Sequence, residues 1–183
     1  MYEVNKIYDT PKGKIKVLAR IPKVTCNGKL VRHQRAIIQM LDTGTVLNVQ
    51  TCNIGTGHFC DYMKPSVYGV GYIGSTIKIP MRKSGSIIRR IYDLWANMLK
   101  RCYVGWDRAY SDAKVDPRWH NFTNFLNSIQ DVEGYAQWEK NPKMHLDKDI
   151  IDYSKRLYSR DTCKFVTPAE NVKDMLDRRW HRK

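Results

Sequence analysis

The sequence predicts an α+β protein: a small antiparallel β-barrel-like module at the amino end and a helical domain that closes with a ββα motif. Three observations carry this expectation. Short strand-like runs between turn signals fill residues 12 to about 60. From Ile87 the apolar period becomes that of a helix, and Thr167-Pro168-Ala169-Glu170 reads as a helix start directly after a strand-like run. The expected divisions are a β module over 1–66, a Gly-rich basic junction over 67–87, and a helical domain over 88–183 whose ββα segment spans 143–180.

In the first module the runs 15–21 and 45–49 are strand candidates. The signals Asn27-Gly28, Asp42-Thr43-Gly44 and Gly55-Thr56-Gly57 lie ~12–16 residues apart, the interval of hairpins packed as a small barrel or curled sheet. Such a unit buries one thin core, so Lys14, Lys16, Arg20, Lys29, Arg32 and Arg35 look outward, as a solvated face or as a surface that tracks phosphates. Residues 64–75 change texture, with Gly69, Gly71 and Gly74 among extended or turn residues, and residues 81–86 continue them as a basic linker.

From Ile87, residues Ile88, Ile91, Trp95, Met98, Leu99 and Cys102 share one helix face, with Ser86 placed as the cap; Trp95 and Met98 read as core. Arg89, Arg90, Lys100 and Arg101 lie off that face, solvated or in reach of DNA. After a loop from Tyr103 to Pro117, Trp119, Phe122, Leu126 and Ile129 repeat at helical spacing and predict a second helix. Trp106, Trp119, Phe122, Phe125 and Trp138 read as core aromatics rather than a base-stacking platform.

Residues 144–151 and 163–166 are the two strands of the ββα segment, joined by a polar connection over 152–160. Thr167 is the N-cap of the last helix, Pro168 takes the first helical position, where its missing N–H costs nothing, and Glu170 closes a capping box. Val172, Met175, Leu176 and Trp180 lie in or near one stripe of that helix. Lys173, Arg178, Arg179, Arg182 and Lys183 make its far end basic, which suits either nucleic-acid contact or the helix dipole.

The 183-residue chain carries 32 Lys and Arg against 18 Asp and Glu, a formal net charge of +14. The charge divides evenly, with 11 basic and 4 acidic residues in 1–80 and 21 and 14 in 81–183. With pI near 9.6, such a field points to a polyanion, nucleic acid first. No apolar run approaches the ~18 residues of a membrane span, so no membrane partner is expected. The opening Met-Tyr-Glu-Val-Asn-Lys lacks the apolar segment of a secretory signal, and a cytoplasmic location is expected. Cys26, Cys52, Cys60, Cys102 and Cys163 are scattered without zinc spacing, so reduced, mostly packed thiols and no zinc are expected.

Hydrolysis of a phosphodiester with a single metal needs hard ligands for a divalent ion and a base that activates water. Asp147 and Asn171, on a strand and in the first turns of a helix, would meet across a strand–loop–strand–helix turn, and two oxygen ligands with water and phosphate suit Mg²⁺. Here the sequence resembles a family: the HNH homing endonuclease-like and integrase-type DNA-binding proteins of tailed phages. The family's strand aspartate followed by an Asn-Leu-Arg-Trp-Val-Thr-x-x-Glu-Asn-like segment is similar to Asp147 followed by residues 162–171. Residues 92–103, 119–125 and 146–150 also resemble phage members, as do Leu41-Asp42-Thr43-Gly44 and residues 67–74 of the amino-terminal module and junction.

The resemblance implies DNA as partner, Mg²⁺ or Mn²⁺ as cofactor, and Asp147 and Asn171 as metal ligands. Active members follow the aspartate with a histidine general base, but Lys148 stands there, and a lysine of ordinary pKa is protonated near neutrality. The asparagine that orients the base is Thr162. His145, two residues before Asp147 and so on the same strand face, is the candidate substitute base. The leading expectation is a phage-type DNA-binding protein with impaired or lost nuclease chemistry. The alternatives are an active nicking endonuclease and a phage protein that binds a host protein.

Overall fold

The computed structural model describes residues 2–23, 25–26, 29–30, 33–105 and 110–180, without the side chains of 25–26, 29–30 and Arg179. Lys29, Arg32, Trp106, Arg182 and Lys183, singled out in the sequence, therefore lie outside the described side chains. The chain divides into two compact units, Met1–Lys64 and Pro65–Lys183.

The first unit is built on a four-stranded antiparallel sheet of β1 (Ile7–Thr10), β2 (Gly13–Ile21), β5 (Arg35–Met40) and β6 (Val46–Gln50), in that order. A short hairpin of β3 (Thr25–Cys26) and β4 (Lys29–Leu30) lies in the connection between β2 and β5. Alternation along β2, β5 and β6 sends Ile15, Val17, Ala36, Ile38, Met40, Leu47 and Val49 to one buried face. The helix α1 (Thr51–Thr56) lays Ile54, fully buried, on the same core.

The expected barrel does not form among the described residues: the sheet is open, with β1 and β6 as its edges. Four strands leave those edges two strands apart, and α1 covers the apolar face instead of closure. Register shifts between Val17 and Ala19, where an irregularity in β2 interrupts the pairing with β5.

The second unit is organised on α2 (Ile87–Tyr103), whose apolar stripe buries Ile91, Trp95, Met98 and Leu99. Trp95 Nε1–H donates to the carbonyl of Trp119 at 2.6 Å, satisfying the one polar atom of a fully buried ring. Ser86 sits at the helix start in extended conformation, but its side chain makes no capping bond. Residues expected to form a junction contribute Val67, Val70, Ile73, Ile77 and Ile79 to this core. Gly71 passes so close to α2 that an added Cβ would stand 2.5 Å from Leu99 Cδ1, which explains a glycine there.

The single second helix read from the Trp119–Ile129 spacing is split. A 3₁₀ turn at Pro117–His120 is followed by α3 (Phe122–Ser128), a second 3₁₀ turn at Ile129–Asp131, and α4 (Tyr135–Lys140). Asn121 makes the break, because its side chain accepts from the N–H groups of Thr123 and Asn124 and so starts a new helix. The loop after α2 contains β7 (Lys114–Val115), which pairs in parallel with β9 (Leu157–Tyr158) from the connection expected to be only polar loop. The remaining elements are β8 (His145–Asp147), β10 (Lys164–Val166) and α5 (Pro168–Trp180).

The aromatic residues read as core are core: Trp119, Phe122, Phe125 and Trp138 are buried, and Trp138 stacks on Phe165 with centroids 5.1 Å apart. Of the cysteines, Cys163 is buried, Cys102 half-buried, and Cys52 and Cys60 exposed, so the thiols are less packed than expected. Burial pushes the thiols of Cys102 and Cys163 up to about 11 and about 12. Among the described residues no helix is long and apolar enough to cross a membrane.

Candidate functional site

Strands β8 and β10 pair antiparallel, with His145 opposite Val166, Leu146 opposite Phe165 and Asp147 opposite Lys164. Successive side chains leave a strand on opposite sides. Leu146 and Lys148 accordingly turn into the core, while His145 is exposed and Asp147 half-buried on the outer side. Helix α5 follows β10 almost at once. Thr167 N–H donates to Glu170 Oε2 at 2.7 Å and Glu170 N–H donates to Thr167 Oγ1 at 3.2 Å, the reciprocal bonds of a capping box. The Thr167 donors hold the Glu170 carboxyl below its ordinary value.

This start aims the side of α5 carrying Asn171, Asp174 and Arg178, spaced at i, i+3 and i+7, toward the β8 segment. Asn171 Nδ2 lies 3.4 Å from His145 Nδ1. Asp174 pairs with Arg178, whose Nη1 is 3.8 Å from Asp149 Oδ2 and whose guanidinium is 4.8 Å from the Tyr153 ring centre. Burial pushes the Asp174 carboxyl up; Arg178 opposes the rise, and the carboxylates of Asp147 and Asp149 add to it.

Asp147 Oδ1 accepts from the N–H groups of Asp149 at 2.7 Å and Ile150 at 2.9 Å, closing the turn that ends β8. Its Oδ2, and Oδ1 of Asn171, have no hydrogen-bond partner among the described residues. Of the expected site residues, then, His145, Asp147 and Asn171 occupy one neighbourhood.

Lys148 does not join them. Its side chain is 2% exposed, and its ammonium donates to both oxygens of Asp149, at 2.8 and 2.6 Å. The rings of Tyr110 and Tyr158 lie 5.3 and 5.7 Å away, so a cation beside a carboxylate is wrapped in aromatic faces. Thr162 is buried as well. Its hydroxyl bonds Ser159 and the carbonyl of Leu157, tying the turn between β9 and β10.

The expected DNA-contacting cations divide by what already holds them. Arg89 forms a bidentate pair with Asp93, at 3.1 and 2.6 Å. Arg90 donates to the carbonyls of Glu139 at 2.9 Å and Trp138 at 3.0 Å, with its guanidinium 4.7 Å from the Trp138 ring centre, and so pins α2 to α4. Arg178 is engaged as described above. Arg101 sets its guanidinium 5.8 Å from the Tyr110 ring centre and bonds the Tyr158 hydroxyl; Lys173 is exposed, Lys100 is exposed though not without contacts, and the side chains of Arg179 and Arg182 lie outside the described set.

Asp174 is the member of this cluster that the sequence does not indicate. Reading α5 onward from Asn171 by one helical face reaches Asp174 and Arg178, a signal the apolar stripe on the opposite side conceals. Among the described residues, no group of three or more His, Cys, Asp or Glu side chains is arranged to hold a metal ion. No protein-family model, curated protein or solved structure matches this chain.

Proposed function

We propose that this is a DNA-binding protein on an HNH-like ββα scaffold, of the phage type its sequence resembles, with nuclease chemistry weakened or lost. The observation that carries the reading is the meeting of His145, Asp147 and Asn171 where β8 faces the first turns of α5, in a chain of net charge +14. Lys148 supports the loss of chemistry. An ammonium offers donors only, and this one is buried against Asp149, unable to accept a proton from water where active members carry the histidine base.

A second reading, an active nicking endonuclease, is favoured by one contact. His145 is exposed and its Nδ1 faces the Asn171 amide, as a ring oriented for proton transfer requires. Asp147 Oδ2 and Asn171 Oδ1 are hard oxygens suited to Mg²⁺ or Mn²⁺, an ion that is commonly held by one or two protein oxygens with water and phosphate completing its shell. Bound there, the ion would stabilise charge on the phosphate and the leaving oxygen. The chain's own groups would orient the phosphate, and His145 would take the proton from water.

Two measurements test these readings. Duplex DNA affinity is expected to fall linearly on a log–log plot against salt; absence of binding at low salt overturns the proposal. Supercoiled plasmid with Mg²⁺ or Mn²⁺ should stay intact if the chemistry is lost. Nicking by the wild type that disappears in both His145→Ala and Asp147→Ala establishes the second reading instead.

A further inference from the structure

Beside β8, on the side of α2, lies a cavity of about 340 Å³, at the small end of the ~300–1,000 Å³ range of ligand sites. Its floor is aliphatic and thioether, with Leu94, Met98, Met144 and Leu146 among its lining, and its polar members include Asn97 and His145. Arg90 and Arg101 line it as well, eleven residues apart on α2 and hence about 16 Å apart along the helix axis. The acid in the lining, Asp93, is already neutralised by its bidentate pair with Arg89.

We propose that this groove holds a short unpaired stretch of single-stranded or locally opened DNA, with a base on the floor and successive backbone phosphates along the rim that runs from Arg90 to Arg101. The inference rests on the DNA-binding reading and names its substrate class. An apolar floor below a cationic rim matches the two faces of a nucleotide, a flat base with little charge and an anionic backbone. The base of a paired nucleotide is stacked inside the duplex and cannot enter a recess; a base must be unpaired or turned out to do so. Arg90 is held rigid by two carbonyls and the Trp138 ring, so binding a phosphate there costs little side-chain ordering. The strand would leave the groove past His145, which joins the cavity to the neighbourhood of Asp147 and Asn171.

The test compares a single-stranded oligothymidylate with a matched duplex of the same length, by fluorescence anisotropy at fixed salt. Asn97 is exposed, so Asn97→Trp fills the mouth without disturbing the core. It is expected to weaken oligothymidylate binding by ~10-fold or more while duplex affinity changes by less than ~3-fold. Unchanged oligothymidylate affinity, or an equal fall for both DNAs, overturns the groove assignment. A second measurement uses the wild type alone: a 5′-phosphorylated thymidine dinucleotide should shift the methyl resonances of Met98 and Met144. DNA binding without such shifts sinks the groove and leaves the DNA-binding reading standing. Dinucleotide shifts without any DNA binding at low salt do the reverse.

Discussion

Replacing Lys148 with methionine isolates the least expected feature of the second unit, a lysine that packs as core. The substitution keeps most of the buried stem and removes the ammonium, leaving the Asp149 carboxylate, 17% exposed, without its partner at 2.6 Å. Removing one member of a buried ion pair costs about 3–5 kcal/mol, because the other charge is left uncompensated. Here Arg178, 3.8 Å from Asp149, remains as a more distant counter-ion, so the expected loss is about 2–4 kcal/mol. For a unit of this size that lowers Tm by roughly 10 °C.

Urea denaturation of wild type, Lys148→Met, Asp149→Asn and the double variant forms the cycle. The double variant should recover much of the loss, with a coupling of about 1 kcal/mol or more between the positions. A Lys148→Met protein within about 0.5 kcal/mol of wild type, or strictly additive variants, would refute the buried pair. Lys148 would then be a lysine whose ammonium gains nothing from Asp149.

Three further expectations concern α5. Thr167→Ala should cost about 1 kcal/mol by removing the acceptor for the Glu170 N–H. Because the Thr167 donors depress the Glu170 carboxyl, its stabilisation is full above the ordinary value of 4.5 and fades as pH falls through the lower folded value; denaturation curves of wild type and Glu170→Gln should therefore converge on acidification. Val172→Gln and Leu176→Gln, at side chains exposed to solvent, should each change stability by about 0.5 kcal/mol or less in thermal denaturation. A loss of several kcal/mol would show that the stripe is covered in solution.

The legible parts of the chain are those where local chemistry and tertiary packing demand the same thing. The α2 stripe is read correctly because Ile91, Trp95, Met98 and Leu99 repeat over a long run and all are buried. The capping box of α5 is a contact within four residues, so its geometry follows from the sequence. The sequence predicts one second helix where the fold has two, because Trp119, Phe122 and Ile129 keep a helical interval across a break that Asn121 imposes through side-chain bonds to the backbone. In the candidate site, Asp147 and Asn171 are legible as a strand and helix pair, whereas Asp174 joins them only through the folding of the β8 turn against α5.

Sequence alone determined the turn-bounded strands of the first unit, the apolar face of α2, the start of α5 and the strongly basic charge, because each follows from spacing, capping or composition. Tertiary structure decided whether the first sheet closes, since closure depends on how the edge strands meet and on what covers the apolar face; here α1 covers it. It also decided which side of α5 faces inward. Periodicity reveals an apolar stripe of Val172, Met175, Leu176 and Trp180 but not its direction, and the charged and polar groups of the β8 segment draw Asn171, Asp174 and Arg178 inward, leaving that stripe in solvent. The same surroundings settle Lys148: strand alternation turns it to the core, and Asp149 with two tyrosine rings makes a buried ammonium tolerable there.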